Sequence, residues 1–349
     1  MARKNGWLAP IGHMPDPGDI IGYRKNGLPI RSVGGGAVND VTTWTPEEFS
    51  GDVVQKVLQK SAIEAYARPW PMANTLRHVP RSAGMDVAGV AAGGTYAEDT
   101  STNDEVLLTA RKMGQALRLN DEDMKDNTLV DIIATKKMDW ATSFAKFYDQ
   151  ACLGCTAAEN GTTVLFTSVY KSLRTTQSGL GYTADDNYVV SASGSAVSYD
   201  NLSTVLSLAE VGDYWDDGEA LVIAHPSFKA KVRNIRIPQY SGDTGGLPVF
   251  VQGQGGDSGT PDTLFGHPIR WSLGAKTHAT NTSTPTGNPL LIVGNRQMLF
   301  RGVRSGPESA VAGADSGPAF LTDQALLKMR ARRGFAVAHP KAFAVLEDA

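Results

Sequence analysis

The stretch from Glu105 to Gly154 constrains the fold most, because it joins an extended segment, an acidic turn and a long amphipathic helix. The extended part, EVLLTARKMGQALRL, is rich in Val, Leu and Thr and alternates like a half-buried strand. After the helix-starting turn NDEDMKDN, apolar residues recur at helical spacing from Thr128 to Cys152. This pattern predicts a spine helix of roughly 35 Å that ends at Gly154. The helical face consists of Leu129, Ile133, Trp140, Phe144, Phe147 and Ala151.

Composition sets limits on the class of protein. The 349 residues, 41% apolar and 20% charged, are typical of a globular chain with two or three subregions. A net charge of −3 argues against the broad positive field that condenses nucleic acid. No apolar run approaches the roughly 20 residues of a membrane span, and the first residues lack the apolar core of a secretory signal. We therefore expect a soluble protein made in the cytoplasm.

Residues 1–44 form an arm in which no regular element can run far, because they contain eight Gly and four Pro. Such a segment cannot bury itself, so we expect it to pack against other chains. Thr45-Pro46-Glu47-Glu48 then starts a helix that stops before Pro69. Residues 72–104 follow as a long polar hairpin with too few large apolar residues for a core of its own, so it must lie on something else.

The rest of the chain mixes helices and strands without regular βαβ alternation, which predicts an α+β fold. We expect helices at Asn201–Val211 and Ser227–Asn234 and a buried strand at Glu219–Ala224. Residues 238–263 read as a Gly-rich loop. Three further strands are predicted at Leu264–Leu273, Pro289–Val303 and Phe320–Arg333.

Motifs for catalysis, cofactors or metals are weak. Gly256-Asp257-Ser258-Gly259 matches the nucleophile tetrapeptide of chymotrypsin-like proteases, but His225 lies too near in the chain for their double-barrel triad. Cys152 and Cys155 close a helix, where packing is favoured over redox chemistry. The six His are scattered without a metal-binding pair, and no phosphate-binding loop occurs. We expect no enzyme activity, cofactor or metal site.

The order of elements resembles the major capsid proteins of tailed bacteriophages with the Hong Kong 97 fold. The phrases DQACLG, ALVIAHPSFKAKVRNI, LFGHPIRWS, FRGVRSG and MRARRGFAVAHPKAFAVL carry the resemblance, which spans about residues 45–349. It implies an arm, an E-loop hairpin, a spine helix, a peripheral (P) domain and an axial (A) domain. The boundaries are arm 1–44, P-domain helix 45–71, E-loop 72–110, P domain with spine helix 111–155, A domain 156–289, P-domain strands 290–333 and a C-terminal return to the A domain at 334–349.

The resemblance also implies function. The chain is expected to assemble as pentamers and hexamers into an icosahedral head around double-stranded DNA, without sequence-specific binding or a membrane. A domains would meet at the capsomer centre and E-loops would lie over the adjacent subunit. Expected partners are a separate scaffolding protein and a portal, with cement proteins as further candidates. The chain is expected in the host cytoplasm during assembly and then in the virion capsid. An encapsulin-type compartment shell is the first alternative, and a serine hydrolase using Ser258 and His225 is the second.

Some family members crosslink covalently through a Lys on the E-loop, but residues 61–111 contain no Lys. Shell stability is therefore expected to be non-covalent. Arg77 and Arg81 are the candidate E-loop contacts, since a guanidinium can bind carboxylates bidentately across an interface. Trp7, Arg330 and Arg332 are further candidate assembly contacts. The strand that carries Arg330, Arg332 and Lys328 fits either a positive inner face or a solvated edge.

Overall fold

The computed structural model describes residues 20–23, 29–31, 60–82, 84, 87–96, 98, 104–122, 131–191, 197–237, 247–248, 263–281, 284–313 and 322–349. The chain divides into two compact units, Met1–Val53 and Val54–Ala349. In the first unit, strands β1 (Ile20–Tyr23) and β2 (Pro29–Arg31) pair antiparallel. All elements below belong to the second unit.

A four-stranded sheet runs in the order β3 (Arg68–Pro71), β14 (Leu299–Ala312), β15 (Gln324–Val337) and β6 (Arg111–Asn120). β15 pairs antiparallel with both of its neighbours. Alternate residues of β15 are buried, from Ala325 to Ala331, and the residues between them are more exposed. This period of two gives the sheet one core face and one outer face.

The core face carries the spine helix α2, Ile132–Leu153. It begins at Ile132 and not at Thr128, because the Asp131 carboxylate accepts from the Ala134 N–H at 2.9 Å and caps it. Phe144 stacks on Tyr148 with ring centroids 6.1 Å apart, and the Tyr148 hydroxyl donates to the Gly334 carbonyl at 2.9 Å. The helix ends at Gly154 as predicted, where a Cβ would collide with the carbonyl oxygen of Lys276.

A six-stranded mixed sheet forms the other layer, and its central strands are buried along their whole length. Alternate residues face opposite sides: Ile223 and Ile292 join the core around the spine helix, whereas Val222 and Val293 join a second core. A sheet covered on both faces needs such continuous apolar strands. The strand order is β11 (Thr263–Leu264), β12 (His267–Trp271), β8 (Ala220–Ala224), β13 (Leu290–Asn295), β16 (Phe343–Glu347) and β7 (Tyr188–Val190).

Short elements complete this unit. Further α-helices are α1 (Ala62–Tyr66), α3 (Val169–Leu173), α4 (Tyr199–Glu210) and α5 (Phe228–Asn234). Two further antiparallel pairs are β4 (Leu76–Arg81) with β5 (Asp104–Thr109), and β9 (Arg236–Ile237) with β10 (Leu247–Pro248). Single 3-10 turns lie at Ser178–Leu180, Asp217–Glu219, Arg296–Met298 and Pro340–Ala342.

Sequence-based elements other than the spine helix also differ from the structure. The single extended segment predicted at residues 105–119 is two strands in different sheets, β5 and β6, and β15 runs four residues past the predicted strand end at Arg333.

The strand predicted at Pro289–Val303 is two strands in different sheets, because the Asn295 side chain accepts from the Gln297 N–H at 2.9 Å and starts a 3-10 turn. The strand predicted at Leu264–Leu273 is the hairpin β11–β12, which turns at Phe265 and Gly266, both at positive φ.

The predicted helix that ends before Pro69 stops earlier, at Tyr66. The following segment, Arg68–Pro71, is the edge strand β3, a position where proline is tolerated because one side of the strand needs no partner. The start of that predicted helix, at Thr45, lies outside the described residues.

A buried carboxylate links three elements of the fold. Asp149 of the spine helix is 2% exposed and accepts from the backbone N–H groups of Ala62 at 2.9 Å and Ile63 at 3.2 Å. It also accepts from the hydroxyls of Ser61 and, at 2.6 Å, Ser272. Burial raises the pKa of Asp149, and the four donors act in the opposite direction. The side chain thereby joins the spine helix, the start of α1 and the turn after β12.

Candidate assembly surfaces

The long hairpin (residues 72–110) has a buried base and an exposed distal part. Its strands β4 and β5 pair from Leu76↔Thr109 to Arg81↔Asp104. At the base, Val79 and Leu108 are buried in a small cluster with Phe300. Beyond the strands, Val87 is 97% exposed and Tyr96 is 81% exposed. The base therefore belongs to the subunit core, whereas the distal part presents apolar side chains to solvent.

The hairpin base lies on the outer face of the four-stranded sheet, opposite the spine helix. Gly302 and Gly334 pair directly across β14 and β15, and a Cβ on Gly302 would collide with the sulfur of Met72. Phe300 and Ala336, another cross-strand pair, pack in the hairpin cluster, whereas Phe335 packs around the spine helix. At Gly334 an added Cβ would lie tight against the Thr109 carbonyl oxygen, so the hairpin crosses the sheet where two paired glycines leave room for it.

The two arginines predicted for the hairpin have partners within the subunit. The Arg77 guanidinium lies 4.9 Å from the centroid of the Trp70 ring and donates to the Pro71 carbonyl. Arg81 donates from Nε to Asp104 Oδ1 at 2.6 Å and from Nη1 to the Ala338 carbonyl. The hydrogen bond from Arg81 lowers the pKa of Asp104. Both arginines fix the hairpin base, and their role between subunits remains a prediction.

The outer face of the sheet is basic where the hairpin leaves it uncovered. Directly paired residues of an antiparallel sheet project from the same face. Arg332 is paired with Lys112, and Arg330 with Glu308, whose Oε2 lies 2.9 Å from Arg330 Nε. We call this surface the basic face, and its charged residues are Lys112, Arg118, Glu308, Lys328, Arg330 and Arg332.

Sequence reasoning identified Arg330 and Arg332 but missed Lys112 and Arg118. These two lie more than 200 residues earlier in the chain. The alternation along β6 was the available signal, but only the register with β15 places them on the same face. The fifth candidate contact, Trp7, lies outside the described residues.

Of the two hydrolase candidates, His225 lies among the described residues. His225 Nδ1 accepts from the Ser227 N–H at 3.1 Å in the turn after β8, and burial lowers its pKa to about 4. Ser258 lies outside the described residues. A groove of about 670 Å³ runs between the spine helix and β6, lined in part by Trp140, Phe147 and Lys146. Its described lining contains no carboxylate or imidazole for acid–base chemistry.

The cysteines fit the packing interpretation. Both Cys152 and Cys155 are buried free thiols, and burial raises the pKa of each, which disfavours the reactive thiolate. In the described part of the chain, no three His, Cys, Asp or Glu side chains come together to hold a metal ion. Among the same residues, no helix is long and apolar enough to cross a membrane.

Comparisons with known proteins agree with this architecture. A chain from Microbacterium phage Oxtober96 superposes with a TM-score of 0.68 at 14% identity, covering 89% of this chain and 98% of its own. A chain from a capsid of an empty GTA particle computed with C5 symmetry has a TM-score of 0.66 at 15% identity, covering 90% of this chain and 100% of its own. For a chain from Gordonia phage Cozz the TM-score is 0.64 at 17% identity, with 92% and 98% covered.

Because these chains share only 14–17% sequence identity with this one, their structural similarity shows a shared fold. No curated protein sequence matches the chain significantly. The model of the phage capsid family matches residues 43–348. The family and the structural relatives favour a virus capsid over an encapsulin-type shell. Because the family match covers most of the sequence, the chain belongs to the phage capsid family and is a major capsid protein of a tailed phage, with the Hong Kong 97 fold.

Proposed function

We propose that this capsid protein assembles as pentamers and hexamers into a closed icosahedral head that encloses double-stranded DNA. The exposed distal part of the long hairpin carries this proposal. A two-stranded ribbon is marginally stable by itself in water, and the exposed Val87 and Tyr96 gain nothing from the subunit core. Burial against a neighbouring copy supplies the missing apolar contact.

Ring closure follows from a head-to-tail contact of this kind. A hairpin that reaches a different surface of the next copy makes a heterologous interface, which closes into a ring when the rotation permits. The capsid of the empty GTA particle named above was computed with C5 symmetry, a symmetry that a closed shell with fivefold rings also has. Subunit interfaces of the obligate class bury more than about 2,000 Å² in total.

The regions take the following parts in this proposal. Residues 1–44 are the arm, 72–110 the E-loop, and the four-stranded sheet with the spine helix the P domain. The A domain, which meets its copies at the capsomer centre, is built on the six-stranded sheet and includes Leu290–Asn295, because β13 pairs there with β8 and β16. Trp7, Arg77, Arg81, Arg330 and Arg332 serve as assembly contacts.

The protein works as a structural tile and not as an enzyme. A separate scaffolding protein directs assembly in the host cytoplasm, a portal occupies one vertex, and cement proteins are further candidate partners. The net charge of −3 fits enclosure of DNA without sequence-specific binding.

Removing apolar surface from the distal hairpin tests the proposal. We expect the variant Val87→Ser/Tyr96→Ser to keep the melting temperature of the unassembled subunit but to lose shells in light scattering and electron microscopy. Met138→Ser is the matched control, since Met138 is 54% exposed on the spine helix. Assembly of the hairpin variant at the wild-type concentration, or a wild-type protein that stays monomeric with scaffold supplied, contradicts the proposal.

A further inference from the structure

The strand β6 is an open edge of the four-stranded sheet. Among the described residues it pairs on one side only, with β15. An edge strand presents backbone N–H and C=O groups that can pair with another chain, unless charged side chains or prolines block the approach. The centre of β6 carries neither, since Gly114, Gln115 and Ala116 are uncharged and exposed. The free side of β6 therefore has room for an added strand.

The groove between β6 and the spine helix lies along this open edge. Four consecutive residues of β6, 112–115, line it. Consecutive residues of a strand point to opposite faces, so the groove reaches the edge itself and not the core face alone. Gln115 lies on the same face as the buried Met113 but is exposed, which shows that the spine helix leaves this part of the sheet uncovered. The volume of about 670 Å³ is that of a binding cleft.

The groove offers apolar surface and an unpaired amide. Trp140 and Phe147 are half-buried and line it from the spine helix. Asn281, also in the lining, is 3% exposed and hydrogen-bonds His278 through one amide atom at 3.0 Å. The other amide atom is buried without a partner in the described part of the chain. Because an unpaired buried polar atom is costly, the site gains from a ligand that supplies a hydrogen bond, and a peptide backbone offers both a donor and an acceptor.

The rim of the groove is positively charged. Lys112 on β6 and Lys146 on the spine helix are exposed and form no ion pair with a described residue. The described lining contains no Asp or Glu. Charge complementarity therefore favours an acidic ligand. The arm of the same chain, residues 1–44, has five Lys or Arg against three Asp, so its charge disfavours it as the occupant.

The open backbone of β6 favours protein over nucleic acid as the ligand. A phosphate backbone would bind Lys112 and Lys146, but it has no peptide groups with which to extend the sheet. An extended peptide satisfies the edge, the apolar surface and the two lysines together.

We propose that the groove binds an extended acidic segment of another protein, which adds as a strand to the free edge of β6 and seats apolar side chains against Trp140 and Phe147. Main-chain hydrogen bonds supply the affinity in this mode of recognition, and pockets for alternate side chains supply the specificity. Lys112 and Lys146 bind the carboxylates of the segment. The inference goes beyond shell assembly and does not depend on it, because the site is complete in one subunit.

Fluorescence anisotropy with unassembled full-length subunits tests the site. The probe is the labelled peptide Glu-Val-Glu-Phe-Glu-Val-Glu, whose apolar residues share one face of a strand. It should bind saturably, and more weakly as salt is raised. The basic peptide Lys-Val-Lys-Phe-Lys-Val-Lys should bind at least about tenfold more weakly because of charge repulsion. The acidic peptide with methylated backbone amides should also lose at least about tenfold, because it cannot pair with a strand.

Variants of the subunit locate the binding. Ser143→Trp fills the groove from an exposed helical position and should abolish binding of the acidic probe. Lys112→Glu/Lys146→Glu should weaken that probe at least about tenfold and strengthen the basic one. The control Lys60→Glu/Lys137→Glu makes the same change in net charge at exposed residues outside the described lining, and it should bind as wild type does. Equal melting temperatures confirm that each variant is folded.

Each other outcome overturns the inference. No saturable binding of the acidic probe means that the groove is not a peptide site, and equal binding of the methylated probe means that the ligand does not extend the sheet. An equal loss in the control reduces the effect to net charge. Groove variants that change only self-association assign the groove to a second copy, and preferential binding of a DNA oligonucleotide assigns it to phosphate. All of these results leave shell assembly intact, since that is tested separately with the Val87→Ser/Tyr96→Ser variant.

Discussion

Replacing Asp149 by Ala should destabilise the subunit strongly, because this carboxylate satisfies four donors in the core. The backbone N–H groups of Ala62 and Ile63 would lose their acceptor, as would the hydroxyls of Ser61 and Ser272. A buried donor left unsatisfied costs about 1–3 kcal/mol. The two hydroxyls can turn to new acceptors, so we count mainly the two backbone groups and expect a loss of about 3–5 kcal/mol.

The Asp149→Asn variant should lie between Ala and wild type, at about 2 kcal/mol, because one amide oxygen still accepts while the amide nitrogen faces a donor. Asp139→Ala is the matched control on the same helix. Asp139 Oδ2 lies 3.8 Å from Lys136 Nζ in an exposed ion pair. Its replacement should therefore lower the free energy of unfolding by less than about 1 kcal/mol.

Urea unfolding of unassembled subunits, followed by tryptophan fluorescence, measures these differences. The expected order of unfolding free energy is wild type, Asp139→Ala, Asp149→Asn and Asp149→Ala, with the first two nearly equal. An Asp149→Ala subunit within about 1 kcal/mol of wild type would refute the reasoning, since it would mean that water or new partners satisfy the donors.

Three further predictions concern packing, pH and covalent linkage. Phe144→Ala should lower the free energy of unfolding by about 3–5 kcal/mol, because Phe144 is buried and stacked on Tyr148. Trp140→Ala should lower it less, because Trp140 is only half-buried, and equal losses would contradict this. Burial and the charge of Arg81 lower the pKa of His339 to about 4, below the 6.5 of an unfolded His. As the pH falls, the unfolded chain therefore takes up the His339 proton before the folded subunit does. The free energy of unfolding should decrease between pH 6.5 and pH 4, and it should decrease less in His339→Asn. The same pH dependence in wild type and variant would count against this prediction. Mature particles boiled in SDS should give a single band near 37 kDa, since residues 61–111 contain no Lys, whereas a ladder of capsomer-sized species would reveal crosslinks.

Local patterns predicted the spine helix, α4 and α5, but not the short helix α3 at Val169–Leu173. The spine helix follows from apolar spacing within one segment, and the observed Tyr199–Glu210 lies within two residues of the predicted Asn201–Val211. Sheet membership was beyond local reasoning. The sequence from Pro289 to Val303 reads as one extended segment, but β13 pairs with Phe343–Glu347 and β14 with Gln324–Val337. Only these long-range pairings show that the chain changes sheets at Arg296–Met298.

The candidate surfaces were predictable only in part. The hairpin was predicted from its polarity and its lack of large apolar residues, and its arginines were identified by type. Their partners Asp104, Ala338 and Trp70 depend on tertiary contacts that composition does not encode. The basic face likewise needs the pairing of Lys112 with Arg332, which are 220 positions apart.

Electron cryomicroscopy of particles assembled from the purified full-length protein, with scaffold supplied, tests the central claim most directly. The account predicts closed icosahedral shells in which fivefold and sixfold rings of this chain share the same subunit fold, with each long hairpin lying on an adjacent copy. Monomers or unclosed aggregates under these conditions, or shells in which the hairpin contacts only its own subunit, would contradict it.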